Sequence, residues 1–350
     1  MKVVIISESA SFPWGMAATS RVKLIAKGLM HLGYSIEYVG LIGARVNYSK
    51  EKKKNGEVEG VPFCYPGLFA VRPENWLARR LDDLWSNVKS KQYIHSKIRS
   101  KSLKFIILYT RKYNIVKRWV KFANKYDIKI ILEICEWPEV YNNKTKDKIL
   151  YCKYAPSMVS GVIPISKYIE NSVRGKNKNV FRLPILIDSE KYERVEEESC
   201  AEVPYLVYSG SSNYYDILKL IIKSIYLLKQ EGLYTRLKIT GVVRRNYRNN
   251  IINMITNYGL SDIVKLTGYL EEDELIELMV NACALLAPIP DDSQTKARFP
   301  TKIGIYLASG TPVITNPYGE VENYLTDKKN VIFMSKYTAQ ELKNKICAVQ

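Results

Sequence analysis

The stretch that most constrains the fold of this chain lies near its C-terminal end, at residues 282–315. An apolar run, ALLAPIP, is followed by a polar segment and then by a helical pattern that begins near Pro300 and stops at Gly310. Proline suits the first turn of a helix, and glycine suits the residue just beyond its end. A second apolar run follows, so the stretch predicts strand, loop, helix and strand.

The start of this predicted helix is a candidate site for an anion. Ligands of open α/β sheets bind where the carboxyl ends of strands meet the starts of helices. Lys296, Arg298 and Lys302 surround this helix start, whose unpaired N–H groups and positive dipole end also favour anions. The hypothesis is a diphosphate-binding site, and an ordinary βαβ corner with solvated cations is the alternative that the spacing leaves open.

Composition favours a globular cytoplasmic protein of two domains. The chain has 350 residues, of which 47% are hydrophobic and 25% are charged, so disorder is not indicated. The six cysteines are scattered and only two histidines are present, which argues against a metal site or a disulfide scaffold. The N-terminus enters a strand directly, and no apolar run reaches the length of a membrane span.

The formal net charge of +18 indicates an anionic partner. Residues 72–125 hold fifteen Lys and Arg against three acidic residues, and aromatic residues are mixed among them. This pattern suits an anionic membrane surface, and the alternative is amphipathic helices that pack on a sheet with solvated outer faces. Nucleic acid also fits the charge, but no recognisable nucleic-acid motif accompanies it, so we expect no nucleic-acid partner.

Both halves of the chain open with a strand, a loop of small residues and a helix. The first loop contains Gly15 and the second contains Gly210. Neither half carries G-x-G-x-x-G, which argues against a nicotinamide or flavin enzyme; Gly15 fits either a ligand approach or a tight βα turn. We therefore predict an α/β fold of two doubly wound Rossmann-like domains facing a cleft, with domains at residues 1–190 and 204–350 and a linker at 191–203.

Two carboxylates lie near the end of the predicted strand that begins at residue 128. Glu133 and Glu136 are three residues apart, so on a strand they face opposite sides. Glu136 is nearer the carboxyl end, which makes it the better candidate for a catalytic carboxylate. The alternative is a partly exposed acid that caps the end of the strand.

Several motifs, taken in order, resemble the GT-B glycosyltransferases of glycosyltransferase family 4 (group 1). The strongest is FPTKIG at 299–304, followed by YLASGTPVI at 306–314 and the pair Gly319 and Glu320. The others are FPWGMAATSR at 12–21, EWP at 136–138, VIPIS at 162–166, PILID at 184–188, YSGS at 208–211 and KLTGYL at 265–270. Their order and spacing cover nearly the whole chain.

The resemblance implies a retaining transfer of a sugar from a nucleotide-sugar to a glycan or lipid-linked saccharide acceptor, usually without a metal ion. The nucleotide-sugar is then a substrate, and no cofactor is expected. The second domain would hold the donor and the first the acceptor, at the cytoplasmic face of a membrane where surface polysaccharide is made. The residues implied for donor binding are Gly15, Gly210, Ser211, Gly268, Tyr269, Arg298, Thr301, Lys302, Gly319, Glu320 and Glu322.

This sequence departs from the family pattern at the expected ribose site. Ile305 stands where the family commonly has glutamate, and Ala297 stands where its partner acid would fall. Glu320 or Glu322 would then hold the ribose hydroxyls. These departures, with the absence of a long C-terminal helix before Gln350, motivate a second hypothesis: a degenerate GT-B protein that binds a nucleotide or a partner enzyme without catalysis.

Overall fold

Two mainly parallel β-sheets organise the chain, each flanked by helices. The structure is a computed structural model that describes residues 1–15, 17–44, 53–143, 145–192, 204–210, 215–241 and 245–349. Its two compact units are Met1–Leu186 and Ile187–Gln350. The predicted α/β class with two Rossmann-like domains is confirmed. Most of the predicted linker, from residue 193 to 203, lies outside the described residues.

The first unit contains a seven-stranded sheet of order β3-β4-β2-β1-β5-β6-β7, in which only the β3–β4 pair is antiparallel. Its strands are β1 (Lys2–Ser7), β2 (Ser35–Gly40), β3 (Asn55–Val58), β4 (Val61–Cys64), β5 (Leu103–Tyr109), β6 (Lys129–Ile134) and β7 (Gly161–Pro164). Its helices are α1 (Ala17–His31), α2 (Trp76–Arg99), α3 (Tyr113–Asn124), α4 (Lys146–Met158) and α5 (Lys167–Arg174), with a short 3-10 turn at Pro138–Val140.

Strand β1 is central because both of its faces are covered, and residues 3–7 are all buried. Gly33 follows α1 with φ +82°, a left-handed conformation that favours glycine and ends the helix. The chain builds β2 on one side of β1 and then returns to add β5 on the other side. The strand order therefore reverses between β1 and β5.

The second unit begins with a 3-10 turn at Ser189–Lys191 and contains a six-stranded sheet of order β10-β9-β8-β11-β12-β13. Its strands are β8 (Tyr205–Ser209), β9 (Arg236–Thr240), β10 (Val264–Gly268), β11 (Ala284–Ala287), β12 (Val313–Thr315) and β13 (Ile332–Phe333). Its helices are α6 (Tyr215–Gln230), α7 (Arg245–Asn257), α8 (Glu272–Val280), α9 (Ser293–Ala297), α10 (Thr301–Ala308), α11 (Val321–Tyr324) and α12 (Ala339–Cys347).

The stretch at 282–315 contains β11, α10 and β12 as predicted, and the short helix α9 lies within its polar segment. Pro300 immediately precedes α10, and Gly310, with φ +76°, follows its end. In this sheet the strand order reverses between β8 and β11, so α10 begins beside the switch point of the second unit.

Helix α2 buries polar residues against the first unit and exposes large apolar ones. Its buried positions include Asp82, Ser86 and Ser90. Its exposed side carries large apolar residues: Trp76, Leu77, Leu81, Leu84, Trp85 and Val88. The alternative of an amphipathic helix that packs its apolar face on the sheet is therefore wrong for α2. No helix in the described part of the chain has the length and hydropathy needed to cross a membrane.

Candidate functional site

Three glycines meet at the carboxyl edge of the second sheet. Gly210 follows β8, Gly241 follows β9 and Gly268 ends β10, and these strands are adjacent. The Gly241 amide donates to the Gly268 carbonyl oxygen at 2.7 Å, and a Cβ on Gly241 would lie 2.4 Å from the Gly210 carbonyl oxygen. Gly241 and Gly268 have φ +118° and +79°. The ends of these three strands therefore contact each other through backbone atoms. The carboxyl edge of the sheet consists of peptide groups at this point.

Lys302, in the first turn of α10, lies at the same edge. Its Nζ is 3.9 Å from the ring centroid of Tyr208 on β8. The Tyr208 ring in turn packs beside Gly210, where an added Cβ would lie 2.8 Å from the tyrosine hydroxyl oxygen. Burial lowers the pKa of Lys302 to about 7, because desolvation disfavours the ammonium form. An anion bound here would offset that desolvation and favour the charged lysine.

A hydrogen bond fastens α10 to the end of β8. The Tyr306 hydroxyl accepts from the Ser209 backbone N–H at 2.6 Å, and burial raises the pKa of this tyrosine well above its usual value. The phenol is therefore neutral at physiological pH and serves as a fixed link. This link and the Lys302–Tyr208 contact hold the start of α10 next to Gly210.

Arg298 lies three residues before α10, and Thr301 is the first residue of this helix. The half-buried Arg298 donates from Nε to the Gln294 carbonyl oxygen at 3.3 Å. Pro300, the N-cap residue, makes no side-chain hydrogen bond to the N-terminus of α10. The backbone N–H groups and dipole of α10 therefore favour a negative charge at this end.

Gly319 packs directly against α9. Its φ is +64°, and an added Cβ would lie 2.8 Å from the Thr295 carbonyl oxygen. Glu320, the next residue, is buried at the start of α11, whereas Glu322 is exposed. The two carboxylates suggested for ribose binding therefore lie in different environments. Tyr269 is exposed just after β10, and Ser211 lies outside the described residues.

Gly15 and Glu136 lie in the first unit. A Cβ on Gly15 would lie 2.0 Å from the Thr19 hydroxyl oxygen, which accepts from the Ser11 backbone N–H at 3.1 Å. This geometry fits the tight-turn alternative for Gly15. Glu136 follows β6, pairs with Arg111 and accepts from the Tyr141 hydroxyl at 3.1 Å.

Glu133 has a structural partner that the sequence does not reveal. The Arg21 Nε donates to its carboxylate at 2.7 Å, and both side chains are buried. Arg21 also donates to the carbonyl oxygens of Leu183 and Pro184, at 2.7 and 2.6 Å. Burial alone would lower the pKa of Arg21, but the Glu133 carboxylate outweighs it and the pKa is raised. The ion pair joins α1 to β6 and to the segment after α5.

The described residues contain no group of three or more His, Cys, Asp or Glu side chains placed to hold a metal ion. The five described cysteines are free thiols: Cys64, Cys135, Cys152, Cys283 and Cys347.

The comparisons with known proteins point to one family for the second unit. The sequence model of the family described as glycosyl transferases group 1 matches residues 190–349. The matched segment begins near the start of the second unit and covers most of it. The match includes all the predicted donor-binding residues except Gly15, which lies in the first unit. No curated protein matches the sequence.

Solved glycosyltransferases share the fold over the whole chain. Sucrose-phosphate synthase from Thermosynechococcus elongatus has a TM-score of 0.73 at 13% identity, covering 100% of this chain and 89% of that one. A glycosyltransferase from Rickettsia africae has a TM-score of 0.71 at 14% identity, with 99% and 87% covered. Anabaena HepE, solved with UDP-glucose, has a TM-score of 0.67 at 13% identity, with 99% and 89% covered. The fold of this chain is therefore GT-B.

Proposed function

We propose that this protein transfers a sugar from a nucleotide-sugar to a glycan or lipid-linked saccharide acceptor in cell-surface polysaccharide synthesis. The observation that carries the proposal is Lys302, with a pKa of about 7, placed beside the glycine-lined strand ends of a group 1 domain. The UDP and UDP-glucose complexes of HepE support a nucleotide-sugar donor. The proposed transfer retains the anomeric configuration and needs no metal ion.

Lys302, Arg298 and the N–H groups at the start of α10 would bind the donor diphosphate. When the glycosidic bond to the diphosphate breaks, negative charge develops on the phosphate oxygens. Preorganised cations and N–H donors stabilise that charge more in the transition state than in the bound substrate. The peptide groups at Gly268, beside the exposed Tyr269, would hold the base, and the turns at Gly210 and Gly319 allow close approach to backbone.

The ribose hydroxyls need an acceptor other than Ile305, since an aliphatic side chain accepts no hydrogen bond. Glu322 is exposed, so it can contact a ligand in the observed conformation. Glu320 is buried, so it would have to act through the position of the Gly319 turn. We therefore favour Glu322, and Glu322→Gln should weaken nucleotide-sugar binding more than Asp262→Asn, at an exposed carboxylate that precedes β10.

Glu136 is our candidate for the catalytic carboxylate of the first unit. It forms an ion pair with Arg111 just after β6, and its carboxylate oxygens can accept a hydrogen bond from an acceptor hydroxyl. Glu136→Gln keeps the shape of the side chain but removes its charge. We expect a lower kcat and unchanged donor affinity, because donor binding is proposed for the second unit.

The exposed apolar side of α2 supports docking to an anionic membrane. The six large apolar residues of this side are between 47% and 66% exposed. Arg80 is exposed beside them, and Lys89 Nζ lies 5.0 Å from the ring centroid of Trp85. Cations next to an apolar helical stripe bind anionic headgroups while the stripe enters the interface. We propose the inner face of the cell membrane as the location.

Vesicle sedimentation tests this docking. The protein should bind vesicles with 30% phosphatidylglycerol more strongly than pure phosphatidylcholine, and 1 M NaCl should weaken binding without abolishing it. Leu81→Ser with Leu84→Ser should reduce binding at both salt concentrations, whereas Leu32→Ser, at another exposed leucine, should not. Equal binding of both variants would contradict docking through α2.

A panel of UDP-, GDP- and ADP-sugars tests the proposed activity. One donor should raise the melting temperature by mass action, and that donor should be turned over with a membrane extract as the source of acceptor. Binding without hydrolysis or transfer for every donor and extract would favour the non-catalytic GT-B alternative. No binding by any of them would contradict the proposed activity and the nucleotide-binding form of the alternative.

A further inference from the structure

A cavity of about 650 Å³ lies within the first unit, at the carboxyl edge of its sheet. Glu8 lies just after β1, Leu41 just after β2 and Arg111 just after β5, and all three line it. The cavity is therefore beside the reversal of strand order between β1 and β5, where open α/β sheets bind ligands. Trp119 and Pro138 add apolar walls.

One carboxylate oxygen of Glu8, in the wall of the cavity, lacks a hydrogen-bond donor among the described residues. The residue is only 6% exposed, and its Oε2 is buried without a hydrogen-bond partner among the described residues. A buried carboxylate oxygen in that state is costly unless a ligand or a water supplies a donor. Sugar hydroxyls are suitable donors, and a cavity of this size holds one or two sugar rings.

The cations that line the cavity differ in whether a carboxylate forms an ion pair with them. Arg111 pairs with Glu136, and Lys148 Nζ donates to the Asn143 carbonyl oxygen at 2.7 Å. By contrast, Lys112 and Arg118 have no carboxylate within ion-pair distance in the described part of the chain; the Arg118 Nε bonds the Asn114 carbonyl oxygen at 3.1 Å.

The acidic residues of the wall do not neutralise Lys112 and Arg118. The Asp147 carboxylate accepts from the backbone N–H groups of Tyr113 and Asn114, at 3.1 and 3.2 Å, so it is used at the start of α3. Asp83 lies 3.6 Å from Arg72. The cavity therefore offers a hydrogen-bond acceptor at Glu8 and, at Lys112 and Arg118, two cations that form no ion pair with a described carboxylate.

We propose that this cavity binds an acceptor saccharide that carries an anionic group, either a carboxylate or a phosphate. Glu8 accepts hydrogen bonds from sugar hydroxyls, and Arg118 and Lys112 bind the anionic group. This inference rests on the proposed function, in which the first unit holds the acceptor. It adds the chemical class of that acceptor and the residues that select it.

Binding of small probes by the full-length protein tests the proposal, using methyl glucoside, methyl glucuronide, glucose 6-phosphate and inorganic phosphate. Titrations followed by NMR should give at least tenfold tighter binding of one anionic sugar than of methyl glucoside. The glucuronide and the sugar phosphate distinguish a carboxylate from a phosphate. Equal affinity for neutral and anionic sugars, or phosphate binding as tight as that of glucose 6-phosphate, would overturn the inference.

Two variants separate the roles of charge and hydroxyl recognition. Arg118→Met should remove most of the preference for the anionic sugar, whereas Arg99→Met, at an exposed cation outside the cavity, should not. Glu8→Gln should weaken neutral and anionic sugars alike. If Arg118→Met fails to fold, Arg118→Lys provides the test, because it keeps the positive charge and should keep the preference for the anionic sugar. An Arg118→Lys variant that loses this preference but binds the neutral sugar as before would contradict the assignment.

The same samples are titrated with the best nucleotide-sugar of the donor panel. Retained donor binding with no anionic preference refutes only the cavity assignment. If the unmodified protein binds no nucleotide-sugar, the proposed function itself is refuted.

Discussion

The depressed pKa of Lys302 makes donor binding depend on pH in a range where ordinary lysines stay charged. Its pKa is about 7, so the side chain is mostly charged at pH 6 and mostly neutral at pH 8.5. A bound diphosphate interacts with the charged form and therefore raises this pKa. We expect donor affinity to be highest at pH 6 and to fall as the pH rises.

The size of the effect follows from the strength of one charge-assisted contact. Such a contact contributes about 1.5–3 kcal/mol, which corresponds to a rise of roughly one to two pKa units on binding. For a rise of about 1.5 units from a free pKa of about 7, the dissociation constant increases about 15-fold between pH 6 and pH 8.5. A lysine at its ordinary pKa of 10.5 would give almost no change over this range.

Calorimetry with an intact nucleotide-sugar measures this effect cleanly, because its diphosphate diester keeps a constant charge between pH 6 and pH 8.5. Lys302→Met should bind about 10- to 150-fold more weakly at pH 6 and show little pH dependence. Lys302→Arg keeps the charge at both pH values, so its affinity should vary little. Lys329→Met, at an exposed lysine that precedes β13, should behave as the unmodified protein.

Two results would refute this account of Lys302. One is an unmodified protein whose donor affinity is the same at pH 6 and pH 8.5. The other is a Lys302→Met variant that binds as tightly as the unmodified protein at pH 6. Either result would mean that the diphosphate does not contact this ammonium group.

Three further predictions concern stability. The pKa of Lys302 in the folded protein lies below its unfolded value of 10.5, so between about pH 7 and pH 10.5 the unfolded chain binds one more proton than the folded chain. The free energy of unfolding should therefore rise with pH over this range in denaturant titrations. Lys302→Met should lose this rise. Arg21→Met leaves the Glu133 carboxylate buried without its cation, so chemical denaturation should show a loss of about 3–5 kcal/mol. Adding Glu133→Gln to that variant should restore part of the loss, and no restoration would contradict the ion-pair account. Gly241→Ala places a Cβ on a residue with φ +118°, 2.4 Å from the Gly210 carbonyl oxygen. It should lower the free energy of unfolding by more than about 1 kcal/mol and weaken donor binding. Gly28→Ala, whose Cβ would meet no atom within 4 Å, should change neither quantity.

The sequence predicts the order of elements well because strands and helices carry local patterns. Apolar runs identify the parallel strands, and Gly33 and Gly310 mark the ends of two helices. The start of α10 is likewise where the position of Pro300 places it.

Periodicity shows which residues of α2 share a side, but not which side faces the protein. The deciding contacts are hydrogen bonds to backbone that is distant in sequence. Asp82 accepts from the Leu68 N–H at 2.6 Å, and the Ser86 hydroxyl donates to the Leu41 carbonyl oxygen at 2.7 Å. These loop groups need partners, so α2 buries its polar residues over them.

Side-chain pairs across the fold are the other part that local patterns miss. Arg21 and Glu133 are separated by 112 residues, and the spacing of Glu133 on its strand gives no indication of a buried cation. The contact between Lys302 and Tyr208 likewise joins residues from a helix start and a distant strand. The sequence identified Lys302 as a cation near an anion site, but its lowered pKa depends on this packing.

The apolar outer side of α2 also has a kinetic consequence under the proposed docking. A protein held at a bilayer by this helix encounters a lipid-linked acceptor by lateral diffusion in two dimensions. Its turnover then depends on the mole fraction of acceptor in the bilayer, rather than on the acceptor concentration in the whole sample. Diluting the acceptor with inert lipid should slow the reaction even when the total amount of acceptor is unchanged.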